Sequence, residues 1–220
     1  MNNPVKATVI TAAVVVAMLL AAAIYVLLAE RATPSPGGEA EPASVTRSNS
    51  HVLDAGGEGA VTVVEFLDFE CEACGAFYPV VEDIRETFDG EITYVVRYFP
   101  LPGHRNSMNA ALAAEAAAAQ GRFEDMYHRL FETQAQWGEA EESQADLFRT
   151  FAEELGLDMG TYDAAISNPE TRARVDMDLN EGLTLGVSST PTFFVDGKRL
   201  ELQRWNDLED AIANALGATQ

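Results

Sequence analysis

The chain divides into three parts by its pattern of hydrophobic and polar positions. Residues 7–29 form a run of 23 residues without a charge. Residues 31–50 are rich in Pro, Gly, Ser and acidic side chains and show no apolar periodicity. From residue 51 onward, short β-branched runs alternate with segments whose apolar residues recur at helical spacing. The pattern predicts an apolar segment within residues 1–30, a flexible linker over 31–50 and one folded domain over 51–220.

Two strands joined by a helix are predicted near the start of this domain. Val61–Leu67 is β-branched and mostly apolar, which is typical of a strand covered on both faces, and Ile92–Tyr98 is a second strand. Between them, apolar residues recur at helical spacing from Phe77 to Phe88, and Gly90 ends the helix. This segment predicts a βαβ unit.

A helical stretch follows, and the chain then returns to strands. Helices are predicted over Asn106–Gln120 and Arg122–Gln136, after a capping Ser143, and from Pro169 onward. The last predicted elements are the strand Thr192–Val195, an Asp-Gly turn, the strand Lys198–Leu202 and a helix from Asn206 to about Gly217. This order predicts an α/β fold with a mixed central sheet, in which a parallel crossover comes first and a hairpin last.

The apolar N-terminal run is long enough to cross a membrane. As a helix, residues 7–29 would span about 35 Å, slightly more than a hydrocarbon core of about 30 Å. Lys6 precedes the run and acidic residues follow it, so the positive-inside rule places residue 1 in the cytoplasm. We therefore expect a single-pass protein of the cell membrane with its folded domain outside the cytoplasm. A cleaved signal peptide remains the alternative, although its apolar region is usually about 7–15 residues long.

The charge balance narrows the range of partners. The formal net charge is -21, from 35 acidic and 14 basic residues. A surface this negative repels phosphate backbones. The chain also contains only two lysines, Lys6 and Lys198, which argues against a basic groove. We expect no nucleic-acid partner.

The chain has two cysteines, Cys71 and Cys74, and their spacing points to redox chemistry. They lie where the first predicted strand becomes a helix. There the dipole and the unpaired N–H groups of the helix start stabilise a thiolate on Cys71, and Cys74 lies one turn further in. Such a pair suits thiol–disulfide exchange, because one thiolate attacks and the second thiol resolves the mixed disulfide.

Three other interpretations of the pair stay open. Two buried free thiols would be unusual in an oxidising compartment. A purely structural disulfide across three residues would close a very small loop and stabilise little. A zinc site would need four ligands, and the three histidines, His51, His104 and His128, show no zinc-finger spacing with the cysteines.

Three segments resemble the DsbA-like family of thioredoxin-fold oxidoreductases. The first, VTVVEFLDFECEACGAFYP, runs from Val61 to Pro79 and is similar to the family's active-site strand and helix. The second begins at Tyr98 with YFPL, includes His104 and continues through an alanine-rich helix to Phe123. The third, LGVSSTPTFFVDG, ends at Gly197 and resembles the loop that holds the family's cis-proline.

The resemblance implies a thioredoxin-like fold with a helical insertion at about 104–186, and it implies roles for particular residues. Pro191 should be the cis-proline that faces the cysteines, with the backbone at Thr190 pairing with substrate; a trans-proline at a strand start is the alternative. Glu65 matches the family's buried acid, whose pKa burial should raise so that it exchanges protons near Cys74. The alternative is a solvent-facing side chain. His104 matches a family histidine and is interpreted as packing at a helix entry.

The dipeptide between the cysteines departs from the strong oxidants of the family. Those carry Pro and His, whereas this chain has Glu72 and Ala73. Glu70 and Glu72 bracket Cys71 with negative charge, which should raise its pKa and make the pair a milder oxidant. Acidic residues in this position also occur in membrane-tethered reductases that resemble thioredoxin and serve cytochrome c assembly.

Three functions are therefore considered. The first is an extracytoplasmic thiol:disulfide oxidoreductase that acts on exported cysteine-containing proteins and exchanges electrons with a membrane or small-thiol redox partner. The second is a tethered reductase or isomerase, and the third is a non-enzymatic copper or zinc chaperone that uses the same cysteines. For the first two we expect no bound cofactor besides the Cys71–Cys74 disulfide itself.

Overall fold

The computed structural model describes residues 44–219. The predicted membrane anchor therefore lies outside the described residues, as does the first part of the predicted linker. Across residues 44–219, no helix has both the length and the apolar character needed to cross a membrane. The strands are β1 His51–Asp54, β2 Val61–Leu67, β3 Ile92–Tyr98, β4 Thr192–Val195 and β5 Lys198–Arg199. The helices are α1 Glu72–Thr87, α2 Ser107–Ala118, α3 Phe123–Trp137, α4 Ala145–Glu154, α5 Met159–Ser167, α6 Pro169–Thr184 and α7 Asp207–Thr219.

The five strands form one mixed sheet in the order β1-β3-β2-β4-β5. Strands β2 and β3 are parallel and in register from Val61 opposite Ile92 to Leu67 opposite Tyr98. Strand β4 pairs antiparallel with both β2 and β5, and β1 pairs antiparallel with β3. The predicted mixed sheet is confirmed, with its parallel crossover first and its hairpin last.

Several local predictions were incomplete. Strand β1 and helix α5 were not predicted, because β1 has only four residues and α5 buries one side chain, Tyr162. Strand β5 ends at Arg199 rather than Leu202. The N-cap of α4 is Gln144 rather than Ser143, although the Ser143 hydroxyl accepts a long hydrogen bond of 3.4 Å from the Ala145 N–H.

Helices cover both faces of the sheet. One face packs against α1, α7 and the helical insertion, and this packing forms the main apolar core. On the other face, Phe66, Phe99 and Phe194 form a smaller cluster, against which Leu179 of α6 and Val45 pack. A Cβ atom at Gly182 of α6 would lie 2.8 Å from the Phe99 ring, so only glycine permits this approach. Because both faces of β2 are covered, packing fixes the position at which the chain leaves this strand toward Cys71.

The end of the predicted linker is bound to the domain. The fully buried Arg97 donates a hydrogen bond of 2.8 Å to the Ser44 carbonyl and pairs with Asp178 at 2.6 Å. Arg174 donates a hydrogen bond of 2.8 Å to the Asn49 carbonyl. These contacts fix residues 44–50 along the face that α6 covers.

The insertion packs against α1 through aromatic rings. Tyr78 of α1 stacks on Phe131 of α3 with a ring separation of 5.2 Å, and Phe69 lies 5.1 Å from the same ring. Tyr127 of α3 contacts both Phe69 and Tyr78 edge-on. Helix α3 is therefore in direct contact with the segment that carries the two cysteines.

Candidate active site

Cys71 lies at the start of α1, a few residues beyond the end of β2. Its backbone is extended, with φ -68° and ψ 121°, and it occupies the N-cap position. The Cys71 N–H donates to the Asp68 carbonyl at 3.1 Å, and the Gly75 N–H donates to the Cys71 carbonyl at 3.0 Å. The N–H groups of Ala73 and Cys74 in the first helical turn act on the Cys71 sulfur, as the sequence predicts.

The surroundings of Cys71 favour its thiolate. A hydrogen bond from Cys74 is the largest influence, and together with the Thr190 hydroxyl and the N–H groups of Ala73 and Cys74 it lowers the pKa of Cys71 from 9.0 to about 6, against an opposing effect of burial. Cys71 is only 7% exposed, so little of its surface is accessible to a substrate. A thiol with this pKa is largely ionised at neutral pH and is a competent nucleophile.

Cys74 has the opposite properties. It is 1% exposed, and burial raises its pKa well above 9.0, with the hydrogen bond to Cys71 and the negative charge of Glu65 acting in the same direction. Both cysteines are free thiols in the structure. Because Cys74 is buried and holds its proton, it is suited to resolving a mixed disulfide rather than to starting the attack.

Glu65 is a buried acid in the middle of β2. Its side chain is 2% exposed, and it lies between Val96 of β3 and Phe193 of β4. The Tyr94 hydroxyl donates a hydrogen bond of 2.7 Å to Glu65 Oε2. Burial raises the pKa of Glu65 to about 7, although the Tyr94 hydrogen bond acts against this. The solvent-facing alternative is therefore wrong, while a proton-transfer role stays a prediction.

The two carboxylates predicted to bracket Cys71, those of Glu70 and Glu72, have other partners in the structure. Glu70 is 2% exposed, and its Oε2 accepts a hydrogen bond of 2.6 Å from the Asn106 N–H. Glu72 is exposed and shares a hydrogen bond with Glu139, which lowers the pKa of Glu72. Neither carboxylate is among the main influences on the pKa of Cys71. The expected rise of the Cys71 pKa from these two carboxylates is therefore not seen, while the milder oxidising power of the pair stays a prediction.

The Thr190–Pro191 peptide bond is cis, as predicted, and lies beside the cysteines. The thiol of Cys71 donates to the Thr190 carbonyl over 3.4 Å. The Thr190 hydroxyl is buried and has no hydrogen-bond partner in the described part of the chain while Cys71 is a thiol. Thr190 nevertheless lowers the pKa of Cys71, so this hydroxyl is close enough to stabilise the thiolate. The predicted pairing of this backbone with substrate stays a prediction.

Three polar residues of the site were missed or interpreted as packing. Asp68 is buried, and its carboxylate accepts hydrogen bonds from the Glu70 N–H at 2.9 Å, the Leu101 N–H at 2.9 Å and His104 Nδ1 at 2.6 Å. Asp68 directly follows a buried strand and precedes the CxxC motif, and this position could have identified it as a residue of the site. Burial lowers the pKa of His104, but the hydrogen bond and charge of Asp68 outweigh it and raise that pKa overall. Tyr94, the partner of Glu65, carried no such signal.

The histidines do not join the cysteines in a metal site. His51 contacts Glu115 at 2.7 Å, His128 contacts Tyr78 at 2.8 Å and His104 contacts Asp68. Between residues 44 and 219, no three His, Cys, Asp or Glu side chains are grouped so that they could hold a metal ion.

A CxxC pair at a helix start, beside a cis-proline on a mixed sheet, defines a redox-active protein of thioredoxin-like fold. A comparison with known families agrees. The family described as Thioredoxin matches residues 55–214. The chain belongs to the thioredoxin family.

Solved structures with the same fold include thiol–disulfide oxidoreductases. A thioredoxin-like oxidoreductase from Silicibacter pomeroyi is 28% identical, with a TM-score of 0.66 over 80% of this chain and 96% of that chain. BdbD from Bacillus subtilis is 23% identical, with a TM-score of 0.67 over 76% of this chain and 93% of its own. MdbA, a thiol-disulfide oxidoreductase from Corynebacterium diphtheriae, is 23% identical, with a TM-score of 0.62 over 76% and 91% of the two chains. The last two similarities show the fold.

Similar curated sequences are much longer proteins. The chain is 32% identical over 195 residues to Na(+)/H(+) antiporter NhaA 1 of Mycolicibacterium gilvum, which covers 86% of this chain and 30% of that protein. It is 39% identical over 143 residues to Na(+)/H(+) antiporter NhaA 3 of Salinispora tropica, which covers 64% of this chain and 21% of that protein. This chain therefore spans less than a third of the length of these relatives. The antiporter activity in their names is that of the longer proteins.

Proposed function

We propose that this protein is an extracytoplasmic thiol:disulfide oxidoreductase that exchanges disulfides with exported cysteine-containing proteins. Cys71 is the nucleophile and Cys74 the resolving cysteine. The observation that carries the proposal is the divergence of their pKa values at one helix start: that of Cys71 falls to about 6, while burial raises that of Cys74 well above 9.0. Membership of the thioredoxin family supports the same chemistry.

The different roles of the two cysteines define the steps by which a substrate is oxidised. A substrate thiolate attacks Sγ of Cys71 in the enzyme disulfide, so that a substrate–Cys71 bond forms and the Cys71–Cys74 bond breaks. Cys74 leaves as a thiolate and takes a proton from neutral Glu65. A second substrate thiolate attacks the substrate sulfur of the mixed disulfide, and Cys71 leaves as a stable thiolate. Two electrons pass from the substrate thiols to the enzyme, and a membrane oxidant or a small-molecule disulfide, which is itself reduced to thiols, accepts them.

The stable Cys71 thiolate favours the oxidase direction over the reductase or isomerase. A stabilised thiolate stabilises the reduced enzyme and therefore makes its disulfide more oxidising. Equilibration of the Cys71–Cys74 pair with glutathione measures its reduction potential. A potential above about -180 mV supports the oxidase, whereas one near the thioredoxin value of about -270 mV supports the reductase.

The activity itself is tested by trapping. Oxidised protein is mixed with a reduced, unfolded secreted protein whose activity returns when its disulfides form. We expect wild type to restore activity, Cys71→Ser to be inactive and Cys74→Ser to accumulate mixed disulfides through Cys71. Accumulation in Cys71→Ser through Cys74 would contradict the assigned roles.

The proposed location depends on the N-terminal residues 7–29, whose composition suits a membrane anchor. A protease added to spheroplasts should degrade the domain beyond residue 50 and spare the anchor. Protection of the whole chain would contradict the proposed orientation.

A further inference from the structure

Gln134 of α3 reaches the segment that carries Cys71. Its Nε2 donates a hydrogen bond of 2.7 Å to the Phe69 carbonyl and one of 2.9 Å to the Cys71 carbonyl. The two carbonyls flank Glu70 in the turn between β2 and α1. One carboxamide from the helical insertion thus binds the backbone on both sides of that turn.

The other end of the same carboxamide lies against α1. A Cβ atom at Gly75 would lie 2.0 Å from Gln134 Oε1 and 2.7 Å from its Cδ. The Gly75 N–H also donates to the Cys71 carbonyl at 3.0 Å, so that carbonyl accepts two hydrogen bonds. Glycine at position 75 is therefore what allows the Gln134 side chain to reach both carbonyls.

The turn held by Gln134 determines how the Cys71 sulfur meets its hydrogen-bond donors. The N–H groups of Ala73 and Cys74 stabilise the thiolate only if the first turn of α1 keeps its orientation. The ring of Phe69 already packs on Phe131 of α3, at 5.1 Å. Helix α3 therefore contacts this turn in two ways. The Phe131 ring packs on the Phe69 ring, and the Gln134 carboxamide binds two backbone carbonyls of the turn.

We propose that Gln134 is a positioning residue of the exchange site, which fixes the Phe69–Cys71 turn so that the N–H groups at the start of α1 face the Cys71 sulfur. Its effect on turnover rests on the proposed function, whereas its effect on the thiolate does not. The insertion is thereby a part of the active site and not only a cover over it.

The test is the pH titration of the Cys71 thiolate by ultraviolet absorbance in the full-length reduced protein. Gln134→Ala removes the contact, and Gln134→Met removes the donor while keeping a long side chain. If the misaligned N–H groups cost the thiolate the equivalent of one net hydrogen bond, the Cys71 pKa rises by about 0.5–1 unit in both variants. Alkylation of Cys71 below its pKa should slow roughly three- to tenfold. Gln136→Ala, an exposed position on the same helix, is the control and should shift neither quantity.

A double-mutant cycle separates positioning from stability. Gly75→Ala places a methyl group where the Gln134 carboxamide lies, so in the wild-type background it should raise the Cys71 pKa by a similar amount. In the Gln134→Ala background it should add little, because the contact is already absent. Equal effects in the two backgrounds would show that Gly75 and Gln134 act separately and would overturn the proposal.

The proposal is also overturned if folded Gln134→Ala and Gln134→Met titrate like wild type, even when their thermal stability falls. Failure of the proposed function has a different signature, since wild type itself would then transfer no disulfide to the unfolded secreted protein. The thiolate titration remains decisive in that case, because it requires no substrate.

Discussion

The Cys71 sulfur lies 3.4 Å from the Thr190 carbonyl, although the two residues are 119 positions apart in the chain. The sheet creates this contact, since β4 pairs with β2 from Phe66 opposite Thr192 to Val63 opposite Val195. The ends of both strands therefore meet beside the helix start. Cys71 is thus positioned by two distant segments, and each can be perturbed separately.

Thr190→Val should weaken the Cys71 thiolate without disturbing the sheet. Valine keeps the shape of threonine but removes the buried hydroxyl, which contributes to the lowered pKa of Cys71. We expect that pKa to rise by about 0.5–1 unit, the equivalent of one net hydrogen bond. Thiolate absorbance measures it. An unchanged pKa in the folded variant would mean that the hydroxyl does not contact the sulfur.

Glu65→Gln should change how stability depends on pH. The pKa of Glu65 is raised from 4.5 to about 7, so the unfolded chain ionises first and the folded state holds the proton. Wild type should therefore lose stability as pH rises from about 4.5 to about 7, by about 3 kcal/mol in total relative to Glu65→Gln. Urea unfolding at several pH values measures the difference.

The same variant tests the proton-transfer role. Without an ionisable group beside Cys74, the release of mixed disulfides should slow, because the Cys74 thiolate loses its proton donor and its thiol loses its proton acceptor. If release rates match wild type from pH 6 to 8, Glu65 has a structural role only.

The buried Glu65 illustrates what the sequence could and could not predict. Its place in an apolar strand, together with the family resemblance, predicted a buried acid near Cys74. Its partner Tyr94 is 29 positions away on a parallel strand, and the register that joins them depends on the folded sheet. The strands β2 and β3 could be predicted because burial on both faces leaves a continuous apolar pattern.

The acidic bracket shows the limit of reasoning from sequence distance. Glu70 and Glu72 adjoin Cys71 in the chain, yet one carboxylate binds the Asn106 N–H and the other pairs with Glu139. The partners of these two side chains, Asn106 and Glu139, belong to the helical insertion, which is distant from Cys71 in the sequence. For the same reason, the two hydrogen bonds of Gln134 could not be predicted.

Glu72→His still tests the charge at this position. Exchanging one negative for one positive charge at this exposed position should stabilise the Cys71 thiolate, which lowers the pKa of Cys71. The reduction potential of the pair should then rise. If neither the Cys71 pKa nor the potential moves, the hydrogen bonds at the helix start determine the redox properties without help from surface charge.

The Asp68–His104 pair should add a second pH dependence. The pKa of His104 is raised overall because Asp68 opposes the effect of burial. The stability from this pair is fully present below the ordinary histidine pKa of about 6.5 and is lost as pH rises through the higher folded value. The stability of wild type relative to His104→Asn should therefore shrink with rising pH, by up to about 1 kcal/mol for this partly exposed pair. Parallel stability curves for the two proteins would contradict the pairing.

The most direct test of the central claim is alkylation of the reduced protein by iodoacetamide as a function of pH, with the modified cysteine identified by peptide mass spectrometry. The roles proposed for the two cysteines predict modification of Cys71 with a midpoint near pH 6, while buried Cys74 stays unmodified in the folded protein. Modification of Cys74 first, or a Cys71 midpoint near the ordinary value of 9.0, would contradict it.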